Sequence, residues 1–138
     1  MKKLGFIRIV AVCLFLVTLL ALVSCGGSST EKIERNLKTN AALGLLYYET
    51  VDEDELYDFS EEIAEMIGYM PNLKQAYVAE DPKDYAEVVI IEFANPFDVD
   101  KAYHAFSEDF ANDAEWKVKR EGNILIFGAN NLVDMLLK

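Results

Sequence analysis

Apolar residues recur at helical spacing in three stretches of the chain and alternate or run together in four others. Leu56, Phe59, Ile63, Met66 and Ile67 share one face of a 3.6-residue repeat, and Gly68 supplies a stop. Thr50 and Glu53 have the spacing of a capping box, and the acidic residues 52–55 fall on the first turn, where negative charge complements the helix dipole. Residues 73–80 and 85–94 read as strands, separated by the turn formers of 81–84. Val88, Val89, Ile90 and Ile91 are apolar on both faces of their strand, which asks for a central or doubly covered position. Asn95 and Pro96 fit the N-cap and first residue of a helix whose stripe is Val99, Ala102, Tyr103, Phe106 and Phe110. Residues 116–120 alternate apolar with basic, 121–123 turn, and 124–127 return, which predicts a hairpin. Leu132, Val133, Leu136 and Leu137 then mark a short terminal helix over 130–137.

The order helix, strand, strand, helix, strand, strand, helix predicts a two-layer α+β domain over residues 41–138, with helices packed on an antiparallel four-stranded sheet. Residues 88–91 and Phe106 are the expected centre of its core. Residues 31–50 are the hardest to read. Ile33 and Leu37 lie one helical turn apart, but the apolar run 41–48 fits either helix or strand, and helix is favoured over most of it.

The first 24 residues belong to a different kind of segment. Lys2, Lys3 and Arg8 precede residues 9–23, apolar apart from Thr18, which is the layout of a secretory signal helix. At 15 residues the run falls short of the about 20 that a bilayer-spanning helix needs. It ends in Leu22-Val23-Ser24-Cys25, followed by Gly26-Gly27-Ser28-Ser29-Thr30. This stretch resembles the lipobox of bacterial lipoproteins. The resemblance implies that Cys25 takes a diacylglyceryl group on its sulfur, that cleavage follows ahead of it, and that residues 1–24 are a signal peptide. Cysteine usage agrees, because Cys13 is lost with the leader and Cys25 is left unable to form an internal disulfide. Two acyl chains anchor stably where one holds only marginally. Residues 25–40 are read as the tether.

The whole chain carries 13 Lys and Arg against 24 Asp and Glu. Three basic and no acidic residues lie in the leader, so the 114 residues from Cys25 onward carry a side-chain charge of −14. That argues against nucleic acid as a partner, since binding its backbone needs clustered cations. It also opposes a flat approach to anionic headgroups.

Candidate chemistry is sparse. His104 points off its helix's apolar stripe between Asp100 and Glu108, but no second histidine or matching cysteine completes a transition-metal site. The acidic residues 52–55 lack the alternation and the glycine of a calcium loop. No nucleophile elbow, phosphate loop or dinucleotide fingerprint occurs, so neither an enzyme nor a cofactor or metal site is expected. Seven tyrosines are many for this size. Tyr47, Tyr48, Tyr57 and Tyr69, with the basic residues Lys117, Lys119 and Arg120, are the candidate interaction surface, against the plainer reading of half-buried rings and a solvated hairpin face.

Taken whole, the mature part resembles small acidic bacterial lipoproteins that carry a domain of unknown function. The resemblance lies in residues 52–68, 88–93 and 99–110 and in the hairpin Arg120-Glu121-Gly122-Asn123-Ile124-Leu125-Ile126, and it implies no catalytic residue. The expected protein is a non-enzymatic lipoprotein held by Cys25 on the extracytoplasmic face of the cell membrane, binding another envelope protein. The second reading is a binder of a small ligand, cationic by charge, serving uptake.

Overall fold

The computed structural model describes residues 28–138. The leader, its expected signal helix and Cys25 lie outside the described residues. In chain order the elements are α1 (Ser29–Ala42), β1 (Tyr47–Thr50), α2 (Glu53–Ile67), β2 (Leu73–Glu80), β3 (Glu87–Phe93), α3 (Pro96–Asp109), β4 (Trp116–Glu121), β5 (Ile124–Ala129) and α4 (Asn130–Leu137). The strands form one sheet in the order β1-β2-β3-β5-β4, with every neighbouring pair antiparallel.

The fold is α+β, as the pattern predicts, with two corrections. The sheet has five strands rather than four, because the run 41–48 divides. Helix α1 ends at Ala42, Leu43 caps it, Gly44 turns the chain at φ +69°, and Tyr47–Thr50 becomes an edge strand along the second half of β2. The domain also has three layers rather than two. Val88 and Ile90 of β3 pack with Ile33, Leu37, Leu132 and Leu136 of α1 and α4. Val89, Ile91 and Phe93 pack with Ile63, Val99, Ala102 and Phe106 of α2 and α3. A strand apolar on both faces cannot be covered by one helical layer, and a second layer removes both faces from water. Residues 88–91 and Phe106 are buried, as expected.

The second layer uses residues that the sequence pattern assigns to the tether. Ile33 and Leu37 of α1 lie in the core, and the helix starts from the Ser28 N-cap, whose hydroxyl accepts from the Glu31 N–H. Helix α2 is capped by Asp52, which accepts from the Glu55 N–H at 2.9 Å, and not by Thr50, which ends β1. Helix α3 begins as read, with Asn95 accepting from the Asp98 N–H at 2.9 Å.

The sheet has two distinct ends. At the Gly122 end, the Phe93 N–H donates to the Asn123 carbonyl, the Ala94 N–H to the Asn72 carbonyl and the Thr30 hydroxyl to the Glu92 carboxylate. The starts of α1, β2 and α3 therefore meet there, beside the β4–β5 turn. At the other, the Tyr85 end, the start of β1 pairs with the end of β2 next to the turn 81–86. Eight residues of β2 put the two ends about 25 Å apart.

Candidate interaction surfaces

Apolar rings and chains that neither core absorbs stand at both ends of the sheet. At the Tyr85 end they are Leu43, Leu45, Tyr47 and Tyr85. Their exposure follows from the local chain. Leu43 and Leu45 flank Gly44 in the α1–β1 turn, Tyr47 opens the edge strand, and Tyr85 crowns the β2–β3 connection. That connection is tightly made. The Asp81 N–H donates to the Ala86 carbonyl and the Tyr85 N–H to the Asp81 carbonyl, both at 2.9 Å. The Asp81 carboxylate accepts from the Lys83 N–H, and that of Asp84 from the Ala86 N–H. These bonds hold Tyr85 at φ +61° with 72% of its surface exposed. A left-handed backbone is uncommon for a bulky residue and costs roughly 1–2 kcal/mol. Tyr85 was expected to begin a strand, but β3 starts at Glu87, and the two aspartates convert residues 81–86 into a rigid turn.

At the Gly122 end the exposed residues are Tyr69, Met70 and Phe97. They are positioned by Asp98, a buried carboxylate in the first turn of α3. It accepts from the Tyr69 hydroxyl at 2.8 Å, the Asn72 N–H at 3.0 Å and the Asn95 side-chain amide at 2.9 Å. Burial works to raise the Asp98 pKa, but these donors outweigh it and hold the carboxyl below its ordinary range. Burial and the bond to Asp98 push the Tyr69 hydroxyl up, so it stays a donor. The Tyr69 and Phe97 rings stack with centroids 6.4 Å apart, and Lys101 Nζ lies 5.7 Å from the Phe97 centroid.

A third feature lies between α1 and the sheet. The Tyr77 hydroxyl donates to the Glu34 carboxylate at 2.7 Å, while the Gln75 amide donates to Glu34 at 3.2 Å and to Glu92 at 2.6 Å. Burial, then the hydrogen bond to Glu34 and its charge, raises the Tyr77 pKa far above the ordinary phenol value. A phenol so held does not ionise near neutrality, and the network ties α1 to β2 and β3 rather than supplying an acid or base.

The sequence-predicted surface residues do not come together. Tyr47 is exposed at the start of β1, whereas Tyr48 is half-buried and meets Tyr77 edge-on at 6.2 Å. Tyr57 stands exposed on α2, where hydrogen bonding to Glu61 raises its pKa. Tyr69 belongs to the Gly122 end. The basic residues are split across the sheet by strand alternation: Arg120 pairs with Asp100 of α3 at 2.8 Å and Lys117 with Asp134 of α4 at 2.6 Å, while Lys119 is exposed. Phe97, Met70, Leu43 and Leu45 are the exposed apolar residues that the tyrosine reading missed. Phe97 could have been found, because it follows Pro96 yet lies off the α3 stripe.

His104 is exposed, its Nε2 3.8 Å from Asp100, which also takes Arg120. Among the described residues no cluster of three or more His, Cys, Asp or Glu could hold a metal ion, and no helix is long and apolar enough to cross a membrane. The fold and its ends define a three-layer α+β domain with two exposed apolar surfaces. No family model matches the chain, and no curated protein or solved structure is significantly similar to it.

Proposed function

We propose that the chain is an extracytoplasmic lipoprotein, anchored through lipid on Cys25, whose domain binds another envelope protein without catalysing a reaction. The lipobox-like Leu22-Val23-Ser24-Cys25 supports the anchor. The observation that carries the binding role is the Tyr85 end, where Leu43, Leu45 and Tyr47 at the α1–β1 turn, and Tyr85 on a turn braced by Asp81 and Asp84, stand out of both cores. Exposed apolar residues gathered on one surface mark interaction sites, and strained backbone at an exposed aromatic points the same way. The surface is rich in the large side chains that anchor protein interfaces.

Crosslinking in intact cells, followed by mass spectrometry of what is joined to the chain, tests both halves. A discrete partner is expected with the native protein and none with Cys25→Ala, which should be misprocessed or released. Tyr85→Gly isolates the surface. Glycine accepts φ +61° freely, and its larger unfolded-state entropy costs only about 0.5–1 kcal/mol, so the fold should be as stable as before or slightly more so. The variant is expected to lose the partner while keeping its melting temperature and its membrane fraction. An unchanged crosslink pattern in Tyr85→Gly would remove the Tyr85 end from the interface, and native processing of Cys25→Ala would remove the anchor.

A further inference from the structure

We infer that the Gly122 end rests on the lipid surface, with Tyr69, Met70 and Phe97 dipping into the headgroup region. The inference rests on the lipid anchor proposed above and adds an orientation to it. Phe97 is 63% and Met70 49% exposed, and neither belongs to a core. Their positions are fixed, because Asp98 binds Tyr69, Asn72 and Asn95 at once. A rigid group of an aromatic with a polar tip, a second ring, a thioether and a lysine lying over that ring suits the boundary between headgroups and acyl chains.

The chain leading to Cys25 says which surface covers it. Cys25 lies three positions before Ser28, and three residue steps reach at most about 10 Å. An added Cβ on Gly122 would lie 3.1 Å from the Ser29 hydroxyl, so α1 starts directly beside the β4–β5 turn. Arg120 next to that turn donates to the Gly122 and Pro96 carbonyls, and Pro96 adjoins Phe97. Lipid on Cys25 therefore brings this end to the bilayer and leaves the Tyr85 end, about 25 Å of sheet away, facing outward.

Charge permits this approach although it opposes a flat one. Lys32, Lys74 and Arg120 stand at this end paired with Glu121, Glu92 and Asp100, and Lys101 lies against Phe97. The acidic start of α2 is elsewhere. It follows β1, which reaches along β2 only as far as Tyr77, so residues 52–55 leave the sheet partway along its length.

The test uses the full chain matured in cells, purified from their membranes and reconstituted into phosphatidylcholine vesicles whose acyl chains carry bromine, a contact quencher of indole emission. Trp116 pairs with Ala129 at the Tyr85 end and gives the reference signal. Two exposed positions carry added reporters, Phe97→Trp at the Gly122 end and Leu43→Trp at the other. The emission added by Phe97→Trp is expected to move to shorter wavelength and to be lost in brominated vesicles, while that of Leu43→Trp and Trp116 is retained. Lipid on Cys25, seen in the mass of the N-terminal peptide, together with an unquenched Phe97→Trp, overturns the orientation alone and assigns this surface to a protein partner. Quenching of both reporters overturns it in favour of a domain lying flat. A Cys25 without lipid overturns the anchor, and the orientation with it.

Discussion

Asp98 holds together a loop and a helix that are far apart in sequence. Its acceptors tie Tyr69 and Asn72 to the first turn of α3, alongside the bond from the Ala94 N–H to the Asn72 carbonyl. Because its folded-state pKa lies below the ordinary 3.8, the stability it contributes is present above that value and is lost as the pH falls through the lowered one. Asp98→Asn keeps the shape but turns an amide towards donors that need an acceptor. It is expected to cost about 2 kcal/mol at neutral pH. The gap to the native protein should narrow as the pH falls through the lowered Asp98 pKa, where the native carboxylate is protonated as well. Urea unfolding followed by circular dichroism at pH 7 and in acid measures both, and a gap that does not depend on pH would show that Asp98 is not an ionised acceptor. The sequence reveals half of this device. Asn95-Pro96 announces a capped helix, but the partners Tyr69 and Asn72 lie 29 and 26 residues away, and no local spacing reports them.

Among the elements, β3 and β5 carry the tightest restriction, because their backbones approach more closely than side chains allow. Gly128 sits opposite Val88 at φ +148°, and a Cβ there would lie 2.4 Å from the Glu87 carbonyl oxygen and 2.6 Å from the Val88 Cα. Neither atom can move without breaking the central pairing. Gly128→Ala is expected to destabilise the domain by about 3 kcal/mol, combining strained backbone with overpacking. Gly44→Ala, where a Cβ meets nothing within 4 Å, should cost only the left-handed conformation, roughly 1 kcal/mol. Thermal melts of the pair check the ranking, and the reverse order would contradict the β3–β5 register. Elements whose signals are local were legible: the α2 and α3 stripes, the 116–127 hairpin and the doubly apolar β3. Strand β1 was not, because Leu45, Leu46, Tyr47 and Tyr48 continue the apolar run of α1. Only the pairing with residues 77–80 of β2 decides for strand. Gly44 was the one local sign of a break.

At the scale of the molecule, the first and last helices close the same face. The Asn36 side chain donates to the Leu136 carbonyl at 2.7 Å, and Ile33 and Leu37 share one core with Leu132, Val133 and Leu136. The pattern of a four-stranded, two-layer domain failed at this scale for a physical reason. Periodicity reports which residues seek burial but not how many layers provide it, and a helix assigned to the tether turned out to be half of one layer. Closure by both ends makes the C-terminal helix costly to lose. Burying a Leu or Val fully is worth about 1.5–3 kcal/mol, so three such residues supply an amount comparable to the 5–15 kcal/mol by which domains are stable at all. A chain ending at Ala129 also strips α4 from Ile33, Leu37, Val88, Ile90 and Ile126, leaving α1 as the one helix on that face among the described residues. It is expected to bind a hydrophobic dye and to melt without a cooperative transition, while Leu136→Ala alone should leave a cooperative but weaker fold, by about 2–5 kcal/mol. A sharp melt from the truncated chain would mean that α1, α2 and α3 hold the sheet without α4 and that α4 is an accessory element.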